Sequence, residues 1–156
     1  MKIIKTLLFI ICFGILNSCG YKNLSLDTTS SFSINSINVF GDKKLAYMIK
    51  NNILVSSIKN SNKKYDIQII LKNTKNSKIK NSAGKTTRYE INISANTNVK
   101  DITNTITLAN TFDQNTDYEV GTNYSDTLRN EKKALERIIN SLSQEIINFI
   151  KLKNLN

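Results

Sequence analysis

The sequence has no histidine, no proline and no tryptophan, and only two cysteines among its 156 residues. Without histidine the chain lacks the commonest general base and the commonest metal ligand. Two cysteines can neither hold zinc alone nor build a disulfide framework. Glycine is scarce as well, at five residues, and Gly84-Lys85-Thr86 lacks the upstream glycine of a phosphate-binding loop. There is no Glu-x-x-His pair and no Asp-x-Asp-x-Asp loop. A serine nucleophile would have no histidine to serve it, so only a Ser–Lys pair stays open. These absences predict a protein that is not an enzyme and carries no metal and no cofactor.

Acidic residues are also few, 12 against 22 Lys and Arg, which leaves a formal charge of +10. That excess points to an acidic partner, whether nucleic acid, a membrane surface or an anionic lipid. The abundance of Lys, Asn and Ile also fits an AT-rich genome, which would explain part of the basicity without any function. The length predicts one domain with one core.

The first residues read as an address. Lys2 and Lys5 precede an apolar run from Thr6-Leu7-Leu8 to Ile15-Leu16, too short to span a bilayer and suited to the apolar part of a secretory signal. Leu16-Asn17-Ser18-Cys19 follows. A leucine three positions before a cysteine, with a small residue just ahead of it, resembles the bacterial lipobox. The expectation is cleavage after Ser18, lipidation at Cys19 and loss of Cys12 with the signal; the alternative is an ordinary signal cut elsewhere, with Cys19 a free thiol. Several acyl chains would hold the protein firmly on a membrane. With Gly20 rather than Asp after Cys19, the outer membrane is the expected destination. Removal of Lys2 and Lys5 lowers the formal charge to +8, and a protein outside the cytoplasm does not ordinarily meet nucleic acid. The predicted organisation is therefore a signal peptide over 1–18, a polar lipidated tether over 19–31 and a single α+β domain over 32–153.

Within that domain the periodicity predicts strand, helix, three strands and a final helix. Phe32–Phe40 alternates with a phase slip near Ser36. Gly41-Asp42 can start a helix over 43–59, its apolar face made by Leu45, Met48, Ile49, Ile53 and Ile58. Tyr65, Ile67, Ile69 and Leu71 mark a strand over 64–73, and 74–85 reads as a polar, flexible loop. Tyr89, Ile91, Ile93, Ala95 and Val99 then alternate with Arg88, Glu90, Asn92, Ser94, Asn96 and Asn98, a strand with one buried and one solvated face. A turn near Lys100–Asn104 leads to a return strand with Ile106, Leu108 and Phe112, and 113–123 reads as loop. Residues 126–152 carry one apolar stripe, with Ser125 or Asp126 as cap. The helix mixes Glu131, Glu136 and Glu145 with Lys132, Lys133 and Arg137 on its polar face, which favours packing on the sheet over lying on a membrane. The prediction is a four-stranded, mainly antiparallel sheet with both helices on one face.

One charge pattern stands out. Lys72, Lys75, Lys78, Lys80, Lys85 and Arg88 fall between Asp66 and Glu90 with no acidic residue in between. Such a loop can meet phosphates, with Arg88 capable of bidentate contact, or it is simply a solvated, lysine-rich loop.

Three stretches together resemble the LptE family of lipopolysaccharide-assembly lipoproteins, especially its alphaproteobacterial form. They are Cys19-Gly20-Tyr21-Lys22, Gly84-Lys85-Thr86-Thr87-Arg88-Tyr89-Glu90-Ile91, and Asn123-Tyr124-Ser125 leading into a helix with Glu131 and Glu136-Arg137-Ile138. Asn23 departs from the family's frequent proline. The resemblance implies an outer-membrane lipoprotein that plugs and helps assemble a large β-barrel, LptD-like, and assists lipopolysaccharide delivery without catalysis. On that reading, charge makes Lys75, Lys78, Lys80, Lys85 and Arg88 the candidate lipopolysaccharide contacts. The solvated sheet face from Glu90 to Asn98 would meet the polar barrel lumen or plain water. A generic envelope adaptor that binds another protein stays open as the alternative.

Overall fold

The computed structural model describes residues 32–59 and 61–153; the predicted signal peptide, the tether and Cys19 lie outside the described residues. The order is β1 (Ser33–Phe40), α1 (Lys43–Val55), β2 (Lys64–Lys80), β3 (Thr86–Asp101), β4 (Thr107–Glu119) and α2 (Tyr124–Lys153). The strands form one sheet in the order β1-β2-β3-β4, parallel between β1 and β2 and antiparallel elsewhere. This is the predicted α+β class with the predicted element order.

Alternation explains the layering. Tyr65, Ile67, Ile69 and Leu71 of β2 and Ile91, Ile93, Ala95 and Val99 of β3 all project to one face and are buried there. Leu45, Ile49 and Ile53 of α1 and Ile138, Ile139, Leu142, Ile146 and Ile150 of α2 close over them. Each fully buried isoleucine or leucine is worth roughly 1.5–3 kcal/mol. The helices touch through polar contacts, Asn52 Nδ2 donating to Asn140 Oδ1 at 3.0 Å and to Ser143 Oγ at 3.3 Å. Leu45 shares a cleft with Glu131 and Leu135 one end further on, so the two helices run in the same direction.

The phase slip near Ser36 is a real irregularity, with the β1–β2 register shifting between Ile34 and Ser36. Asp66 answers it by accepting from Ser36 Oγ at 2.6 Å and Asn35 Nδ2 at 2.8 Å. Those hydrogen bonds, Ser36 first, hold its carboxyl below the ordinary value. At the other end of β1, Gly41 has φ +122°, and a Cβ there would lie 2.7 Å from the Leu71 carbonyl oxygen. Glycine thus lets the chain cross β2 at Leu71 and enter α1. Asp42 caps α1, its side chain accepting from the Lys44 and Leu45 N–H groups.

Four expectations need correction. The helix predicted over 43–59 stops at Val55; Ile58 lies beyond it, and its N–H donates to the Phe32 carbonyl. The loop predicted over 74–85 is mostly strand, because β2 continues to Lys80 and leaves only five connecting residues. The loop predicted over 113–123 is likewise strand as far as Glu119. Both extensions pair on β3, the first wholly exposed and the second burying only Tyr118, so ladder hydrogen bonds support them and no apolar alternation marks them. Finally, neither Ser125 nor Asp126 caps α2: Asn123 does, its Oδ1 accepting from the Asp126 N–H at 2.8 Å.

Candidate functional site

The β2–β3 hairpin outruns the rest of the sheet. β1 pairs with β2 only from Lys64 to Ile70, whereas β3 follows β2 to Lys80. Beyond Leu71 every residue of β2 is exposed. The tip is an ordered turn: Asn81 N–H donates to the Lys85 carbonyl, Gly84 N–H to the Asn81 carbonyl, and Asn81 Oδ1 accepts from Ala83 and Lys85. Gly84 supplies the left-handed residue at φ +76°.

The five candidate cations do not form one patch. Lys75 lies on the helix-covered face, its ammonium 2.9 Å from both Glu131 oxygens and 4.8 Å and 5.2 Å from the centres of the Tyr89 and Tyr118 rings. The rings themselves stack at 5.7 Å. The Tyr118 hydroxyl is buried and has no hydrogen-bond partner among the described residues. Burial works against the Lys75 charge, but the nearby Tyr118 oxygen and the Glu131 carboxylate outweigh it and raise its proton affinity. Lys75 thus fastens the hairpin to the start of α2.

Lys78 and Arg88 sit on the uncovered face. Lys78 pairs with Glu90 at 3.2 Å and Asp117 at 3.3 Å; Arg88 pairs with Asp117 at 3.1 Å and also with Glu119. Asp117's carboxyl is held below its ordinary value, by Arg88 first and Lys78 second. Lys80 and Lys85, at the turn, have no acidic partner among the described residues.

The acidic partners are what sequence reasoning missed. No acid interrupts the chain between Asp66 and Glu90, but the antiparallel register carries Glu90, Asp117 and Glu119 across to the basic residues. The signal was the strand character of 113–119, read as loop. Lys133 and Arg137, read as part of a solvated helix face, lie with Arg88 around a groove of about 380 Å³ beside β4. Neither has an ion-pair partner among the described residues. The uncovered sheet face is as predicted, with Glu90, Asn92, Ser94, Asn96 and Asn98 opposite the core.

Among the described residues no group of carboxylates or thiols is placed to hold a metal ion. No described helix is long and apolar enough to cross a membrane. The fold and site define a class: a two-layer α+β domain with one polar sheet face and a long charged hairpin. Solved structures share that fold. They include a putative lipoprotein from Caulobacter crescentus (11% identity, 77% of this chain and 91% of that one, TM-score 0.53). Two others are the rare lipoprotein B of Shewanella oneidensis (11%, 78% and 98%, 0.58) and an uncharacterized lipoprotein B of Nitrosomonas europaea (12%, 80% and 85%, 0.58). No curated protein matches the chain. Residues 25–150 match the family LptE, lipopolysaccharide-assembly, and the chain belongs to that family.

Proposed function

We propose that this protein is an outer-membrane lipoprotein, lipidated at Cys19 behind an 18-residue signal, that plugs an LptD-like barrel and presents its hairpin to lipopolysaccharide. Family membership supports the assembly role. The observation that carries the finer reading is the position of the free cations. The chain enters the domain beside Lys64, where Ser33 pairs, and Lys80 and Lys85 lie at the opposite end of β2. At about 3.3 Å per residue, that separation is roughly 50 Å. A tether at one end therefore leaves a cationic tip projecting away from the anchored membrane leaflet.

Lipopolysaccharide carries clustered phosphates, for which two unpaired ammonium groups are suitable contacts. Lys78 and Arg88 would have to exchange carboxylates for phosphates, and Lys75, bound to Glu131, serves mainly to hold the hairpin. Neutralising Lys80 and Lys85 to Gln should weaken lipopolysaccharide binding several-fold at low salt and less at high salt. Lys75→Gln should change stability more than binding. Equal binding by the Lys80→Gln/Lys85→Gln variant at both salt concentrations would refute the tip as the contact.

The barrel is tested separately, by purifying the lipidated protein from membranes. A stoichiometric large barrel should co-elute; an inner-membrane complex or a lone monomer argues for an adaptor instead. Radioactive palmitate incorporation should vanish in Cys19→Ala.

A further inference from the structure

The outer edge of β1 is used by neither the hairpin nor the polar sheet face. Among the described residues β1 is the margin of the sheet and pairs only with β2, so its other edge offers backbone groups with no strand partner there. Beside β4 lies the polar, charged groove shared with α2, whereas the edge of β1 is walled by α1 with aromatic rings. Leu45, Ile49 and Ile53 of α1 turn into the core, and the neighbouring stripe of Lys43, Ala46, Tyr47 and Lys50 turns to the edge of β1. Its spacing is that of one helix face. Together with Ile37–Gly41 these residues line a groove of about 420 Å³. Two aromatic rings stand in solvent beside it, Tyr47 at 68% and Phe40 at 52% exposure. Lys43 and Lys50 are exposed and have no ion-pair partner among the described residues.

We propose that this groove binds an extended segment of another protein, added to β1 as a fifth strand and carrying apolar side chains alternating with carboxylates. Main-chain hydrogen bonds to the edge would fix such a strand, and alternate side chains would give the specificity. The carboxylates would face α1 and meet Lys43 and Lys50, about 10 Å apart along the helix and within reach of carboxylates two or four positions apart on a strand. The apolar set, turned to the opposite face of the sheet, would lie beside Phe40, whose neighbour Ile70 on β2 is also exposed. Charge selects this occupant over two others. A second copy would offer its own β1, Ser33–Phe40, which contains no acidic residue. The segment before β1, residues 20–31, brings Asp27 but also Lys22, so it has no net negative charge.

The test uses the full chain purified in detergent, with hydrogen exchange read by mass spectrometry. The probe is an end-blocked eight-residue peptide of alternating Val and Glu, and its Val–Lys counterpart is the control. The Val–Glu peptide should slow exchange across Ser33–Phe40, and Lys43→Glu/Lys50→Glu should weaken its binding at least tenfold at low salt while admitting the Val–Lys peptide. Both lysines are exposed, so circular dichroism should show the variant folded. Protection confined to β4 or to the hairpin overturns the proposal, as does a variant that binds both peptides like the parent. Protection of β1 without peptide that disappears on deleting residues 20–31 would assign the groove to the chain's own segment. Protection lost on dilution of a dimer would assign it to a second copy.

Discussion

The two halves of the β2–β3 hairpin are continuous strands held by different forces. From Tyr65 to Leu71, β2 alternates buried and exposed residues beneath the helices; from Lys72 to Lys80 every residue is exposed. On β2 the near half is fixed by apolar burial, and the far half by its ladder to β3, whose Ile91 and Ile93 still enter the core opposite Lys75 and Asn73, by the Lys75–Glu131 tie and by the cross-strand ion pairs of Lys78 and Arg88. Exposed ion pairs contribute little, about 0–1 kcal/mol each. The far half therefore keeps its shape by geometry and can exchange its charged partners at small cost, which suits a binding surface.

Two isoleucines on the same strand give the largest contrast. Ile69 is fully buried, and Ile69→Ala should cost about 3 kcal/mol through lost transfer energy and the cavity left behind. Ile79, about half exposed near the tip, should cost under about 0.5 kcal/mol as alanine. Urea unfolding of the two variants measures both. Similar losses would mean that the far half is folded into the same cooperative core, contrary to the burial.

Two glycines sharpen it at the next level. Gly41→Ala combines a disfavoured φ with a 2.7 Å clash on the Leu71 carbonyl, and should cost on the order of 2–3 kcal/mol. Gly84 is also left-handed, but nothing lies within 4 Å of its missing Cβ, so Gly84→Ala should cost only about 1 kcal/mol. Thermal midpoints compared at equal concentration would rank them. The reverse order would place the structural constraint in the tip.

The same contrast governs what could be read from sequence. Where strands meet the core, their alternation was legible: Tyr65–Leu71 and Ile91–Val99 were identified residue by residue, and so was the α2 stripe from Ile138 to Ile150, although Leu128 is exposed and Ala134, buried, escaped it. The Ser36 irregularity was visible as a break in phase, and Asp42 as a helix start. Where strands bury little, as in the exposed Thr74–Lys80 and in Asp113–Glu119, which buries only Tyr118, no apolar periodicity exists to read, and Asn, Thr and Ser mimic loop composition. That blindness carried over to the site. The basic residues were recognised, but a run of charges in the chain is a patch on the surface only if register leaves it unopposed. Arg88 faces Glu119 across the ladder, and Lys78 reaches Asp117, because β4 continues through residues that had no apolar signature. Of the five candidate contacts, Lys80 and Lys85, carried past the end of β4, are the two without an acidic partner among the described residues.

The smallest expected effect is a titration of the far half. Asp117 is partly exposed, and Arg88 and then Lys78 hold its carboxyl below the ordinary value. A carboxyl lowered by folding binds fewer protons in the folded chain than in the unfolded one. Its contribution is therefore present above the unfolded value of about 3.9 and is lost as the pH falls through the lowered folded value. The hairpin network should stay intact from neutral pH to about pH 4 and loosen below it, and Asp66, held down by Ser36 and Asn35 in the near half, should lose its hydrogen bonds over the same range. Carbon-detected NMR of the Asp117 carboxyl should show a midpoint below the ordinary value, rising toward it in Arg88→Gln and at high salt, where exposed charges are screened. If Arg88→Gln leaves the midpoint where it was, the carboxylate is not held by the guanidinium. Arg88 would then be held by Glu119 alone, and the division between paired and unpaired cations at the tip would have to be redrawn.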